Sequence, residues 1–259
     1  MNTAHVVVAQ LYSVRDFCKT ADDAGETLKK LRAHGYRKVQ VSGTIDALDA
    51  ATVKRLCDAA GVQIVGHHTN LDTLRNRFAE LVKKLHGWGC RYTAVAYLGK
   101  EERPDGAAYV ARAREMTEFG RRLKAEGLSL QYHNHAFEME KYDGRTGLQI
   151  LFEESDPACL QAEIDTCWIA RGGGDPAEWI RRLKGRIEQV HLKDMTIKDD
   201  QPIFAEVGSG NLNWPAVLAA CRDAGVKEYI VEQDSCPITQ DPILSLGLSY
   251  RYLSGVGLA

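Results

Sequence analysis

Four segments of this chain end in side chains that bind divalent transition metals. Tyr132-His133-Asn134-His135 closes the first, Ile164-Asp165 the second, Val190-His191-Leu192-Lys193 the third and Val231-Glu232 the last. In each segment apolar and polar residues alternate, so the polar ones share one face of a strand. Leu128, Leu130 and Tyr132 oppose Ser129, Gln131, His133 and His135, while Leu160, Ala162 and Ile164 oppose Gln161, Glu163 and Asp165. Val190 and Leu192 oppose Gln189, His191 and Lys193, and Tyr229 and Val231 oppose Ile230 and Glu232. Two imidazoles and two carboxylates (His133, Asp165, His191 and Glu232) make a mixed nitrogen and oxygen set that suits one Mn, Co, Zn or Fe ion. The competing use of these residues is a salt-bridge network filling a barrel. Four strand ends, each with a ligand type, favour the metal.

Such ends need a scaffold that brings them to one height. Strand-like runs at Val6–Leu11, Lys38–Val41, Val62–Gly66, Tyr92–Tyr97, from Leu128 onward, Leu160–Asp165, Ile187–Leu192 and Glu228–Glu232 alternate with helical patterns. Helices are expected at Ala24–His34, Ala47–Ala60, Leu71–Leu85, Ala107–Glu126, Leu148–Glu154, Trp214–Ala224 and Pro242–Leu253. Gly35, Gly61 and Gly127 act as stops, and Asp175-Pro176 opens a further helix as N-cap and first position. Eight β/α units without a linker-like or low-complexity stretch predict one domain over 1–259, a closed (β/α)8 TIM barrel. Its outward faces pack on helices and its C-terminal mouth holds the chemistry. A doubly wound open sheet would ordinarily carry a glycine-rich turn after its first strand, and Gln10-Leu11-Tyr12-Ser13-Val14-Arg15 has no glycine.

Other residues near strand ends are candidates for the rim. Val65-Gly66-His67-His68 offers one imidazole to the pocket, with the other expected at the surface. Gln10 and Tyr12 at the first strand and Tyr97 at the fourth rim the pocket or serve as packing. Trp168 and Arg171 flank a ligand after Asp165, whereas Cys167 is expected to be a packed thiol and Trp88 a core residue. Gly172-Gly173-Gly174 and Gly208-Ser209-Gly210 do not match a P-loop. The loop after the eighth strand, Gln233-Asp234-Ser235-Cys236-Pro237, lacks the glycine common in TIM-barrel phosphate grips, so an unphosphorylated ligand is expected.

Composition narrows the classes. The chain has 259 residues, 44% hydrophobic and 26% charged, with net charge −2. No basic footprint points to nucleic acid, and no apolar run approaches the roughly 20 residues of a membrane span. Met1–Val8 lacks the basic and apolar regions of a signal peptide. Seven cysteines without a CxxC pair predict reduced thiols and a cytoplasmic setting. Homo-oligomer formation is left open.

Taken together, Gln10-Leu11-Tyr12-Ser13-Val14-Arg15, Tyr132-His133-Asn134-His135, Asp165-Thr166-Cys167-Trp168, His191-Leu192-Lys193-Asp194, Gly208-Ser209-Gly210 and Val231-Glu232-Gln233-Asp234 resemble the xylose-isomerase-like TIM barrels. The resemblance to this sugar isomerase/epimerase superfamily spans essentially the whole chain. The superfamily's usual site takes Glu, Asp, His and Glu from strands five to eight, which places the ligands here at His133, Asp165, His191 and Glu232. His133 stands where many members have glutamate, so the two-carboxylate proton transfer of ketose epimerases lacks one partner. Glu138 is expected to supply the missing carboxylate, to metal or substrate, and a similar histidine run occurs in inosose dehydratase. The implied chemistry is abstraction of a proton α to a carbonyl, with Glu232 as base, His135 as the acid opposite it, and His68 and Lys193 orienting hydroxyls. A metal-dependent isomerase or epimerase of an unphosphorylated sugar or polyol is the leading expectation. A lyase eliminating water or a glycosidic group beside a ketone follows, then a non-catalytic sugar-binding barrel. An endonuclease of this superfamily would need more histidine ligands and a basic DNA face.

Overall fold

The computed structural model describes residues 6–258, so the leaderless reading of the first residues falls largely outside it. The strands are β1 (Val7–Gln10), β2 (Lys38–Val41), β3 (Gln63–Thr69), β4 (Tyr92–Val95), β5 (Ser129–His133), β6 (Leu160–Asp165), β7 (Ile187–Leu192) and β8 (Glu228–Val231). Each lies parallel to its neighbours and β1 pairs with β8, closing the predicted (β/α)8 barrel. Around it run α1 (Ala21–Ala33), α2 (Ala50–Ala60), α3 (Leu71–Asn76), α4 (Phe78–Trp88), α5 (Gly106–Ala125), α6 (Gly147–Glu153), α7 (Thr166–Arg171), α8 (Pro176–Arg182), α9 (Trp214–Ala224) and α10 (Pro242–Gly255).

The two faces of the strands have opposite chemistry. Outward side chains such as Leu130, Tyr132, Ile164, Val190 and Val231 join Leu28, Leu85, Leu123, Leu151, Leu218 and Leu246 of the helices in one continuous core. Each such buried side chain contributes roughly 1.5–3 kcal/mol. Inward, a small apolar plug of Val8, Val65 and Ile230 shares the barrel with the buried polar residues Gln10, Gln40, Gln131, Glu163 and Gln189. Most TIM barrels fill this space with branched apolar residues. A polar interior holds only if hydrogen bonds tie it together.

Several boundaries differ from expectation for local reasons. β3 runs on through His67 and His68 to Thr69 because these residues pair with Thr93, Ala94 and Val95 of β4. α2 starts at Ala50, where Asp49 caps the helix, after a short 3-10 turn over Gly43–Ala47. The pattern expected over Leu71–Leu85 breaks at Arg77 (φ −133°, ψ 32°) into α3 and α4, and α4 runs on to Trp88. Phe78 then stacks on Phe119 under the Arg122 guanidinium. Not foreseen were α7 and two small hairpins, Lys141–Tyr142 with Arg145–Thr146 and Asp194–Lys198 with Gln201–Ala205. No helix of the described residues is long and apolar enough to cross a membrane. All seven cysteines are free, with Cys167 packed and buried.

Candidate metal centre at the barrel mouth

Register places the ligand types together. Asp165 and His191 are partners across β6 and β7, and His133 and Glu163 across β5 and β6. One ligand atom each from His133, Asp165, His191 and Glu232 falls within 4.8 Å of the others, and all four residues are buried. The helix after β6 orients Asp165. Its Oδ1 caps α7 by accepting from the Trp168 N–H at 2.9 Å, which leaves Oδ2 turned to the site. Asn134 Oδ1 accepts from the Asp165 N–H at 2.9 Å and ties the end of β5 to the same place. Glu232 Oε2 lies 3.0 Å from His191 Nδ1 and 2.8 Å from Lys193 Nζ.

Electrostatics follow from burial and these pairings. Burial alone would lower the His191 pKa, but Glu163 and Glu232 outweigh it and raise it to about 10. Glu163 is driven the other way, to about 2, because His191 and His68 overcome its desolvation. Desolvation dominates at Asp165, which rises to about 6. Glu232 stays well below the carboxylate range because Lys193 and His191 outweigh its burial.

These residues fit a divalent ion. His133 Nδ1 is buried without a hydrogen-bond partner, a condition that costs about 1–3 kcal/mol, and Asp165 Oδ2 accepts nothing beyond its ion pair with the Lys193 ammonium at 3.0 Å. Both residues belong to the quartet that would hold the ion.

The remaining candidates take distinct places. His68 stacks on His191 (5.3 Å, 11°) and lies 5.0 Å from His133, ring to ring. His67, expected at the surface, is instead buried against the helices between Thr93 (3.1 Å) and Asp46 (3.2 Å), since the irregular register of β3 on β2 between Ile64 and Gly66 turns it outward. Lys193 is fully buried, with Nζ 3.0 Å from Asp165, 2.8 Å from Glu232 and 2.8 Å from Asp234. Tyr12 lies in the 3-10 turn Leu11–Phe17, with Arg15 4.2 Å above its ring. That arginine reaches across to the Asp234 carbonyl.

His135 sits among aromatic rings, within 5.4 Å of Tyr97, Phe137 and Trp168. Burial, then Lys193, lower its pKa to about 3. Arg171 lies over Trp168 (5.0 Å) and Phe204 (5.2 Å). Glu138 does not join the quartet. Its Oε1 accepts from Tyr132 Oη at 2.6 Å and its Oε2 from the His135 N–H at 2.8 Å. Both oxygens are thus engaged away from the quartet, where Tyr132, on the outward face of β5, draws the carboxylate into the helix-side layer.

Sequence reasoning missed three features. Glu163 was noted only as sharing a face with Asp165, yet it lies at the centre of the interior network. Phe204 reaches the rim from an unforeseen hairpin, for which the alternation Thr196-Ile197 and Ile203-Phe204 was too short a signal. The third is the use of Gly208-Ser209-Gly210. Asp194 fills this loop with its own carboxylate, accepting from the N–H groups of Met195, Gly208, Gly210 and Leu212 and from Trp214 Nε1. A Cβ at Gly210 would stand 2.3 Å from Asp194 Oδ1, so glycine is required there. The backbone donors that could cradle an anion are already occupied.

Fold and donor set together define a closed (β/α)8 barrel with a buried His, Asp and Glu cluster at the ends of its strands. The chain belongs to the xylose isomerase-like TIM barrel family, whose model matches residues 28–236. It is 24% identical over 270 residues to an inosose dehydratase of Geobacillus kaustophilus, covering 88% of this chain and 85% of that protein. An inosose dehydratase of Mesomycoplasma hyopneumoniae is 33% identical over 154 residues, about half of each chain (51% and 49%). Among solved structures, a sugar phosphate isomerase/epimerase from Parabacteroides distasonis superposes with a TM-score of 0.81 at 21% identity, covering 99% of this chain and 96% of that one. A probable 3-DHS dehydratase from Bacillus anthracis gives 0.69 at 13%, covering 96% and 98%. These two likenesses bear on the fold.

Proposed function

We propose that this protein is a metal-dependent isomerase or epimerase that removes a proton α to a carbonyl of an unphosphorylated sugar or polyol. The observation that carries this reading is the buried His133, Asp165, His191 and Glu232 quartet, gathered within 4.8 Å at the mouth. A divalent ion held there, with Mn, Co, Zn and Fe all suited to the donors, supplies Lewis-acid polarisation of the substrate oxygens.

The chain's own residues do the rest. Glu232 remains ionised beside Lys193 and takes the proton from carbon, a contribution of about 10²–10⁴-fold for a positioned base. Lys193 has three N–H donors facing three carboxylates, so it holds Asp165 and Glu232 in place. His135 faces the substrate from β5, opposite Glu232, and hydrogen-bonds its oxygens. Glu138 sets the turn that presents His135, and His68 borders the hydroxyls from β3. Trp168 and Tyr12 wall the pocket, and Arg171 closes its outer edge.

A second reading is dehydration beside a ketone. It is favoured by two observations: the curated relatives are named inosose dehydratases, and one carboxylate, not two, is free to move a proton. One test separates the readings. The protein, loaded with Mn or Co, is incubated with unphosphorylated keto sugars and keto polyols in deuterated water and followed by NMR. Solvent deuterium at the α carbon with interconversion of two sugars is expected. Accumulation of an unsaturated or dehydrated ketone would establish the lyase. No exchange with any member of the panel would refute proton abstraction.

A further inference from the structure

The barrel interior contains a carboxylate that no role above uses. Glu163 is fully buried two residues before Asp165 on the same face of β6. Gln40 Nε2 donates to both of its oxygens, at 2.6 and 3.2 Å. His191 Nε2 lies 2.6 Å from its Oε1, and His68 Nε2 lies 3.4 Å from the same atom. Gln40 Oε1 in turn is hydrogen-bonded to His191 Nε2 at 2.8 Å and accepts from Gln10 Nε2. Gly66 makes room for this amide, since a Cβ there would stand 2.9 Å from Gln40 Nε2.

We infer that Glu163 is the positioning residue for the metal ligand His191, an inference that rests on the metal-dependent reading above. An ionised carboxylate can only accept, so Gln40 must turn its NH₂ group toward Glu163. That orientation presents Gln40 Oε1 to His191, and an oxygen there requires a proton on Nε2. With Nε2 committed as donor, Nδ1 is the nitrogen left to ligate, and Nδ1 is the atom that faces Glu232. One carboxylate thus fixes both the ring orientation and the tautomer, the task that outer partners of metal-bound histidines perform generally. His68, Glu163, His133 and His191 also group within 4.8 Å. Glu163, however, already receives N–H donors on both oxygens, whereas His133 Nδ1 has none and Asp165 Oδ2 meets only the Lys193 ammonium.

The test uses the full chain and Co²⁺ as probe. Glu163→Gln is isosteric but brings a donor of its own, so it frees the Gln40 amide to flip and releases His191 from one tautomer. Competition with a chromophoric chelator should show Co²⁺ affinity falling about 10–100-fold. The visible Co²⁺ spectrum should change, and the exchangeable, paramagnetically shifted ring N–H resonance of His191 should move or vanish. Glu163→Asp, still acceptor-only, should restore part of the affinity and the N–H signal. A variant that merely packs less well would lose thermal stability with both signatures unchanged, and that result overturns the inference. Two Co²⁺ per chain in the wild type, with one lost in Glu163→Gln, also overturns it, because Glu163 would then be a ligand. A wild type that binds no Co²⁺, Mn²⁺, Zn²⁺ or Fe²⁺ would overturn the metal-dependent reading itself and this inference with it.

Discussion

Glu138 offers a measurable consequence of how β5 ends. Its carboxyl is fully buried, and desolvation raises its pKa from 4.5 to about 7 despite hydrogen bonds from Tyr132 and the His135 N–H. In the unfolded chain the group ionises near its ordinary value. Below pH 4.5 both states are protonated and the contribution to stability is complete. As pH rises, the unfolded state loses its proton first, so stability falls until the folded group ionises near pH 7. The gap corresponds to about 3 kcal/mol. Glutamine fits the same space, accepting from the His135 N–H through its oxygen and donating to Tyr132 Oη, but it does not titrate. Urea unfolding of wild type and Glu138→Gln at half-unit steps from pH 4.5 to 8 isolates this group, because the titrations of the metal-centre residues are common to both proteins. The variant should be near or slightly below wild type at pH 4.5 and gain relative to it by about 3 kcal/mol at pH 8. A difference that stays constant across this range would refute the buried, uncompensated carboxyl.

Other consequences concern the centre itself. Asp165→Asn and His191→Ala should each lose the divalent ion while keeping the circular dichroism of the barrel, as read by elemental analysis and far-UV spectra; full occupancy in both would remove the quartet as the ligand set. Glu232→Gln should retain part of the ion yet lower kcat by several orders of magnitude. A loss confined to KM would make Glu232 a binding group only. Asp194→Ala strands five donors in the loop 195–214 and should cost about 3 kcal/mol or more, visible as early proteolysis of that loop, whereas Asp194→Asn should recover part of it.

The barrel was legible because apolar and polar residues alternate through β5, β6 and the last residues of β7, and because glycine and aspartate punctuate most helices. The same alternation placed His133, Asp165, His191 and Glu232 on inward faces, and the structure gathers them within ligand distance. Residues whose role depends on pairing across the barrel were not legible. Nothing in the sequence around Gln40 or Glu163 announces that strands β2 and β6, distant in the chain, would meet through an amide and a carboxylate. Glu138 misled for a related reason: its spacing from His135 suits either face, and Tyr132 decides the matter through a hydrogen bond that sequence does not show. His67 and His68 posed a question of parity, resolved only by the register of β3 against β4.

Charge balance connects the ligand set to the kind of substrate it can hold. Glu163, Asp165, Glu232 and Asp234 surround two cations, Lys193 and a protonated His191. Four carboxylates against two cations leave two net negative charges in a region largely closed to water, where charge is poorly screened. A dication that takes the place of the proton on His191 Nδ1 reduces the imbalance to one. A monovalent ion in the same exchange would leave it unchanged, so under the proposed reading charge as well as donor chemistry favours a divalent ion. The residual negative charge is compatible with a neutral polyol and with Glu232 acting as a base. It opposes a phosphoryl group, which would bring up to two further negative charges toward the same mouth while the backbone donors of the loop 208–212 are held by Asp194. The aspartate in that loop and the excess of carboxylates at the strand ends therefore act in the same direction, the one that the proposed unphosphorylated substrate requires.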